Sequence, residues 1–338
     1  MKHHLISAAL AATLVFAGAA GAQEFTFQFQ SSDPAGNPNF EYQKGWTELV
    51  AERSEGRIKI DLLPVGSIVE YNETLDAVAA GILDGQICDS SYWAGKDPAF
   101  GLISNPVGAW SDPAQMIDFV ENGGGKELMQ ELLGSYGLHF IGVTTPGLEA
   151  FVSRKPLNGV ADLQGLKMRA PEGPVANVFA AAGAAPVNLP SSEVYTSLDK
   201  GVVDAADYSV FSVNQQQGLN EVAPNPVYPG FHSLPLVEVS LNKAKWESLP
   251  DDLKLLLEET VKEFQQTQLK GNSEADLAAV EEAKANPNIT VHDWPEEERA
   301  KFRAIATNEW ERIAKQSPMS QKVYDTLTAY LKDKDLLK

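Results

Sequence analysis

The chain has 338 residues, 43% hydrophobic and 22% charged, enough for a sizeable core and about two domains of roughly 100–200 residues each. Its formal net charge of −19 argues against nucleic acid or an anionic membrane surface as a partner, since both demand basic surface. A single cysteine, Cys88, excludes an internal disulfide and reads as a small buried hydrophobe.

Lys2, His3 and His4 precede an apolar run from Leu5 to Ala17, and Ala20-Gly21-Ala22 supplies the small residues of a cleavage site. The run is shorter than the roughly 20 residues that span a bilayer, so residues 1–22 read as a secretory signal removed near Ala22. An uncleaved anchor is the alternative. Losing Lys2 and no acid takes the net charge from −19 to −20. No other segment approaches transmembrane length, and no cysteine follows the signal to carry a lipid.

Phe25 to Gln30 alternates apolar and polar residues and predicts a strand, followed by a loop of turn residues from Ser31 to Pro38. The spacing then predicts a helix over Phe40–Arg53, a strand over Ile58–Leu63, a helix over Tyr71–Ala80 and a strand over Gly85–Ser91. Tyr92 and Trp93 leave the end of that strand. Beyond Pro98 the chain reads as irregular, then as helices near Pro113–Glu121 and Gly125–Leu133. Strands follow at Leu138–Val143 and Glu149–Ser153.

The stretch from Asp162 to Ser209 organises the middle of the chain. A turn at Asp162 and Gly165 leads into a short apolar run ending at Arg169, and Pro171 biases Ala170 toward extended backbone, which sets Arg169 at a strand end. An alanine-rich helix over Pro174–Ala182 stops at Gly183. Ser191 or Ser192 caps a second helix that reaches Gly201, and Val202–Asp207 reads as a buried strand. Arg169, Asp207 and Tyr208 thus fall at strand ends, where open α/β sheets bind ligands. Leu75–Gly85 echoes Leu198–Ala205, and each leads on to an aromatic residue, Tyr92 or Tyr208. Chance is one reading. The functional one is two similarly built α/β halves, each presenting an aromatic residue at a shared cleft.

A proline-rich loop, Pro224–His232, precedes a strand over Leu236–Leu241. A helical pattern over Asp251–Ala283, with a kink at Gly271-Asn272, is long enough to brace both halves. A strand over Ile289–His292 and helices over Pro295–Lys315 and Ser320–Lys332 close the chain.

The sequence holds no G-x-S-x-G, no Walker A loop and no H-E-x-x-H, and its five histidines show no ligand spacing. Nothing in it requires an enzyme. Arg169 can offer a planar fork to a carboxylate, or form a structural salt bridge. Asp207 can coordinate a cation, pair with Arg169 or serve as a turn acid. Tyr92, Trp93 and Tyr208 line a pocket or pack between layers. Glu149, at a strand start, and His232, in the proline-rich loop, are weaker candidates.

The run Asp162-Leu163-Gln164-Gly165-Leu166-Lys167-Met168-Arg169-Ala170-Pro171, with Gly201-Val202-Val203-Asp204-Ala205-Ala206-Asp207, resembles TRAP-type solute-binding proteins (DctP-like). These are the receptors of tripartite ATP-independent periplasmic transporters, and the likeness spans essentially the whole mature chain. Tyr92–Phe100 and Tyr228–His232 look like the branch that binds 2-oxo monocarboxylates. The resemblance implies an α/β, two-domain periplasmic-binding-protein-like fold with a ligand cleft between the domains and a long domain-spanning helix. Domain I would take about 23–145 plus 235–270, and domain II about 146–234 plus 285–310, with C-terminal helices packing across. It also implies a small organic acid as ligand (a 2-oxo or 2-hydroxy monocarboxylate), TRAP membrane permease subunits as partners and a periplasmic location; a homodimer stays open. The family's carboxylate-binding arginine falls on Arg169, and Tyr208 takes a position often held by Asn or Trp. Ser233 stands where the branch often carries a Glu that helps hold a metal ion bridging to the substrate, with Asp207, Glu149 or Glu238 as replacement carboxylates. The same fold binding a C4-dicarboxylate or a sulfonate, and a periplasmic enzyme acting in the same cleft, are the alternatives. A second cation near Arg169 would favour the dicarboxylate.

Overall fold

The structure, a computed structural model, describes residues 24–337; the expected signal at 1–22 lies outside the described residues. Apolar alternation makes β1 (Phe25–Ser31), whose Phe27 and Phe29 are buried. The Asn37 side chain caps α1 (Pro38–Arg53) by accepting from the Asn39 amide, with Pro38 in the first turn. β2 (Ile58–Leu63), α2 (Thr74–Ala79) and β3 (Gly85–Asp89) follow, and β1 pairs in parallel with both β2 and β3. Then come α3 (Pro98–Ser104), α4 (Pro113–Asn122), α5 (Gly125–Ser135) and β4 (Leu138–Thr144).

The chain next builds a second sheet from β5 (Ala150–Ser153), β6 (Lys167–Arg169), α6 (Pro174–Ala181), β7 (Ala185–Val187), α7 (Val194–Asp199) and β8 (Ala205–Ser209). α8 (Phe211–Gln216) and α9 (Leu219–Val222) lead to a return into the first sheet as β9 (Val237–Asn242), antiparallel between β3 and β4. α10 (Lys243–Ser248), α11 (Asp251–Ala285), α12 (Glu296–Ala314) and α13 (Pro318–Asp333) complete the chain. The sheets have the orders β2-β1-β3-β9-β4 and β5-β8-β6-β7. Each contains a parallel trio, and the two trios carry the site.

α11 is 35 residues long, about 52 Å at 1.5 Å per residue. Its first half buries Leu253, Leu257 and Phe264 with Phe27, Trp46 and Val50 of the first lobe. Its last turns bury Ala279, Val280 and Ala283 against Ala150 and Phe211 of the second. The helix runs unbroken through Gly271, where a kink was expected. A Cβ there would lie 1.9 Å from the Tyr42 hydroxyl, so this glycine permits a close approach. α12 also joins the lobes, since its Phe302 and Trp310 share one buried cluster with Phe179 of α6 and Phe100 of α3.

Four local expectations fail for identifiable reasons. The expected irregular stretch after Pro98 is α3: Asp97 caps it, and Gly101 lets α6 approach, a Cβ there lying 2.4 Å from Pro174. β7 went unread because it contains Pro186, which an edge strand tolerates. Val202 is 54% exposed and precedes the strand, which starts only at Ala205. The strand expected over Ile289–His292 reduces to one isolated bridge between His292 and Val227.

Candidate functional site

Strand ends of both lobes meet at one pocket of about 50 Å³, room for roughly four water-sized groups. Asp33 follows β1 and Asp89 ends β3 on the first lobe's side. Arg169 ends β6 and Ser209 ends β8 on the second lobe's side. Parallel pairing puts each trio's carboxyl ends on one edge, and the second sheet supplies the facing wall.

Arg169 is 3% exposed and lines the pocket. Its Nε donates to the Leu189 carbonyl at 3.1 Å and its Nη1 to the Asp207 carbonyl at 2.6 Å. Burial disfavours its charge, but Tyr92, Asp207 and Glu149 outweigh burial and hold the guanidinium more firmly protonated than usual. It is the one cation among the described residues that line this pocket.

Behind it lies a buried acid network. Asp207 Oδ1 is 2.8 Å from His232 Nε2, both side chains being almost completely buried. Burial, together with the negative charge of Asp207, pushes the Glu149 carboxyl well above the usual carboxylate range. Burial would raise Asp207 too, but His232, Glu149 and Arg169 together hold it below its ordinary value. Burial and the charge of Asp207 thus favour a proton on Glu149 over one on Asp207. Glu149, Asp207 and His232 each offer one ligand atom within 4.8 Å of the others.

Of the residues singled out from sequence, Arg169, Glu149, Tyr92 and Tyr208 line the pocket, one aromatic residue from each lobe. Burial pushes the Tyr208 phenol up to about 12, and Asn37 Nδ2 donates to its oxygen at 3.4 Å. Asp207 and His232 stand one layer behind and do not line the pocket. Ser233 is buried too, its Oγ accepting from Asn105 Nδ2 at 2.6 Å while its carbonyl accepts from the Glu149 amide. Trp93 is a correction: it packs edge-on against Phe100 at 5.5 Å in the interior and is no pocket wall. Glu238 is another, held in the first sheet by Gln86 Nε2 at 2.6 Å and pushed up to about 8 by burial.

Sequence reasoning missed the first lobe's polar wall: Asp33, Asp89, Asn37, Asn39 and Gln43. Burial pushes both Asp33 and Asp89 up to about 6. The signal that could have found them is position, since both acids stand at carboxyl ends of parallel strands. Hydrogen bonds cross between the lobes here, from Asn39 Nδ2 to Ser209 Oγ at 3.3 Å and from Asn188 Nδ2 to Tyr71 Oη at 3.1 Å.

Residues 29–317 match the profile of DctP, the bacterial extracellular solute-binding proteins of family 7. The chain belongs to this family. DctP proteins and their fold are those of transport solute-binding proteins and not of enzymes. A monocarboxylate 2-oxoacid-binding periplasmic protein of Nostoc is 32% identical over 206 residues, which is 60% of this chain and 56% of that protein. The match thus spans just over half the length of that curated relative. Among solved structures, a TRAP periplasmic solute-binding protein of Rhodobacter sphaeroides, described as apo and open, is 68% identical with a TM-score of 0.77, covering 93% of this chain and 99% of that one. A counterpart from Pseudoalteromonas atlantica with bound sodium and pyruvate is 25% identical with a TM-score of 0.83, covering 92% and 94%.

Proposed function

We propose that this DctP protein is the periplasmic receptor of a TRAP transporter and captures a small monocarboxylic acid between its lobes for delivery to the membrane permease. The observation that carries the reading is Arg169, buried, fixed by two carbonyls and the one cation among the described residues that line a small pocket. A carboxylate can reach its remaining N–H groups in a water-poor site, where charge-assisted hydrogen bonds are strong. Tyr92 and Tyr208 would exclude water from either side. The ligands of the Nostoc and Pseudoalteromonas proteins support a small carboxylate. With no second cation in the wall, a C4-dicarboxylate would leave one carboxylate facing Asp33, Asp89 or Glu149, which disfavours that alternative.

Capture is proposed to proceed by closure of two lobes, about 23–145 with 235–270 and about 146–234 with 285–310, after export and signal removal near Ala22. The 68%-identical open structure superposes less well than the 25%-identical ligand-bound one, which supports a second disposition of the lobes.

The sodium and pyruvate bound by the Pseudoalteromonas protein raise the question of a metal here. Glu149, Asp207 and His232 are close enough together, but they supply two carboxylates and an imidazole, whereas hard cations such as calcium prefer six to eight oxygens. Asp207 and His232 already hold each other, and neither lines the pocket. We therefore infer no substrate-bridging metal at this trio.

The test is a thermal-shift screen of small organic acids on the mature chain, followed by calorimetry. Stabilisation by monocarboxylates, lost in Arg169→Ala, is expected. Indifference to every acid would end the reading.

A further inference from the structure

We infer that the ligand carries, beside the carboxylate taken by Arg169, a hydroxyl or ammonium group that donates hydrogen bonds to Asp33, Asp89 and Gln43. This rests on the receptor reading above and narrows its ligand class. The three residues form part of the first lobe's side of the pocket. Asp33 Oδ2 accepts from Gln43 Nε2 at 2.8 Å, and Asp89 Oδ1 accepts from the Ser91 amide at 2.8 Å. The second Asp33 oxygen takes no hydrogen bond from a described residue, while the Ser91 side chain also favours the ionised Asp89 carboxylate.

Gln43 supplies the independent observation. It is 1% exposed, and its donation to Asp33 fixes which way the amide points. Its Oε1 is then left buried with no hydrogen-bond partner among the described residues. Native structures rarely leave a buried acceptor unmet, because its lost hydration goes unreplaced. Three acceptors on one wall, with Arg169 the one cation of the pocket, call for a donor brought by the ligand. Asp33 and Asp89 do not belong to the trio of Glu149, Asp207 and His232, whose ligand atoms lie within 4.8 Å of one another among the described residues.

Pyruvate offers this wall acceptors alone and would set oxygen against oxygen. A 2-hydroxy, 2,3-dihydroxy or 2-amino acid offers what the wall lacks. Sites built around a ligand donor reject analogues without it, because their own buried groups are left unpaired.

The experiment is calorimetry on the mature chain with lactate, glycerate and alanine against pyruvate and propionate, all monocarboxylates. At least one donor-bearing acid should bind roughly tenfold or more tighter than both donor-free acids. The three donor-bearing probes distinguish hydroxyl from ammonium. Asp33→Asn and Asp89→Asn, which keep size but turn an acceptor into a donor, should each shrink that ratio to about threefold or less, whereas Arg169→Ala should weaken all binders alike. Either Asn variant, if folded, decides. Pyruvate or propionate binding as tightly as every donor-bearing acid would overturn the inference while leaving the carboxylate receptor intact, as would an unchanged ratio in the Asn variants. If none of the five acids binds, the monocarboxylate reading fails, and this inference falls with it.

Discussion

Arg169 donates to the main-chain carbonyl of Asp207 at 2.6 Å and makes no hydrogen bond to its carboxylate, which is engaged by His232 and Glu149. The guanidinium is therefore positioned without being neutralised in a tight pair. Two carbonyls orient it, and its charge is not spent on the Asp207 carboxylate.

Arg169→Ala should accordingly abolish most of the affinity. Truncating one side of a buried charge pair costs about 2–5 kcal/mol, so binding should weaken roughly 30- to 4,000-fold. Arg169→Lys should recover part of the loss, since an ammonium keeps charge but not the planar fork. Calorimetric affinity is read beside the ligand-free melting temperature. Retained affinity, or an unfolded ligand-free variant, would make Arg169 structural.

The pocket acids should leave a mark on pH dependence. Asp33 and Asp89, each raised to about 6 by burial, bind protons more tightly in the folded state than in the unfolded one. Stability from this source is complete below about pH 4 and declines as pH rises toward 6. Glu149, also raised, adds to the decline, while Asp207, held low, acts oppositely and only in more acid solution. His139, lowered to about 4 by burial and nearby lysines, pulls the other way, so the informative quantity is a difference. The melting temperature of Asp33→Asn minus that of the wild type should grow from pH 4 to pH 7 without ligand. A flat difference would count against the buried, raised carboxyl.

A chelator should change ligand affinity by less than about twofold, because the trio of Glu149, Asp207 and His232 is already joined by hydrogen bonds and offers a hard cation few oxygens. Loss of binding in EDTA, restored by excess calcium, would instead assign the trio a cation.

Closure should be visible in solution. Ligand at 100 times its dissociation constant should add about 2.7 kcal/mol of stability and contract the scattering profile. Asn188→Ala removes a donor to Tyr71 across the mouth, a hydrogen bond worth about 0.5–1.5 kcal/mol, and should weaken binding roughly 2- to 12-fold. An unchanged affinity would mean that this contact is absent from the bound state.

Arg169 was legible because its neighbours are informative: Pro171 forces extended backbone, and the strand–helix–strand order around it sets a sheet edge. Tyr92 and Tyr208 were legible through the echo around Gly81 and Gly201, both of which adopt positive φ at equivalent turns. Asp33 and Asp89 were not, since an acid beside Ser and Pro looks like any solvated turn until β1 and β3 align. Trp93 shows the converse limit. Adjacent aromatic residues at a strand end point to different sides, and sequence does not say which side is the cleft.

The long helix α11 has unlike halves. Leucines and a phenylalanine key its first half into the first lobe, whereas alanines and one valine meet the second. Large side chains interlock, and small ones present a smooth face that can shear. The helix thus behaves as a beam clamped at one end and resting on a bearing at the other. Any movement of the second lobe along it must also repack the cluster in which Phe302 and Trp310 of α12 meet Phe179 of the second lobe and Phe100 of the first, so α12 sets the limit of that movement.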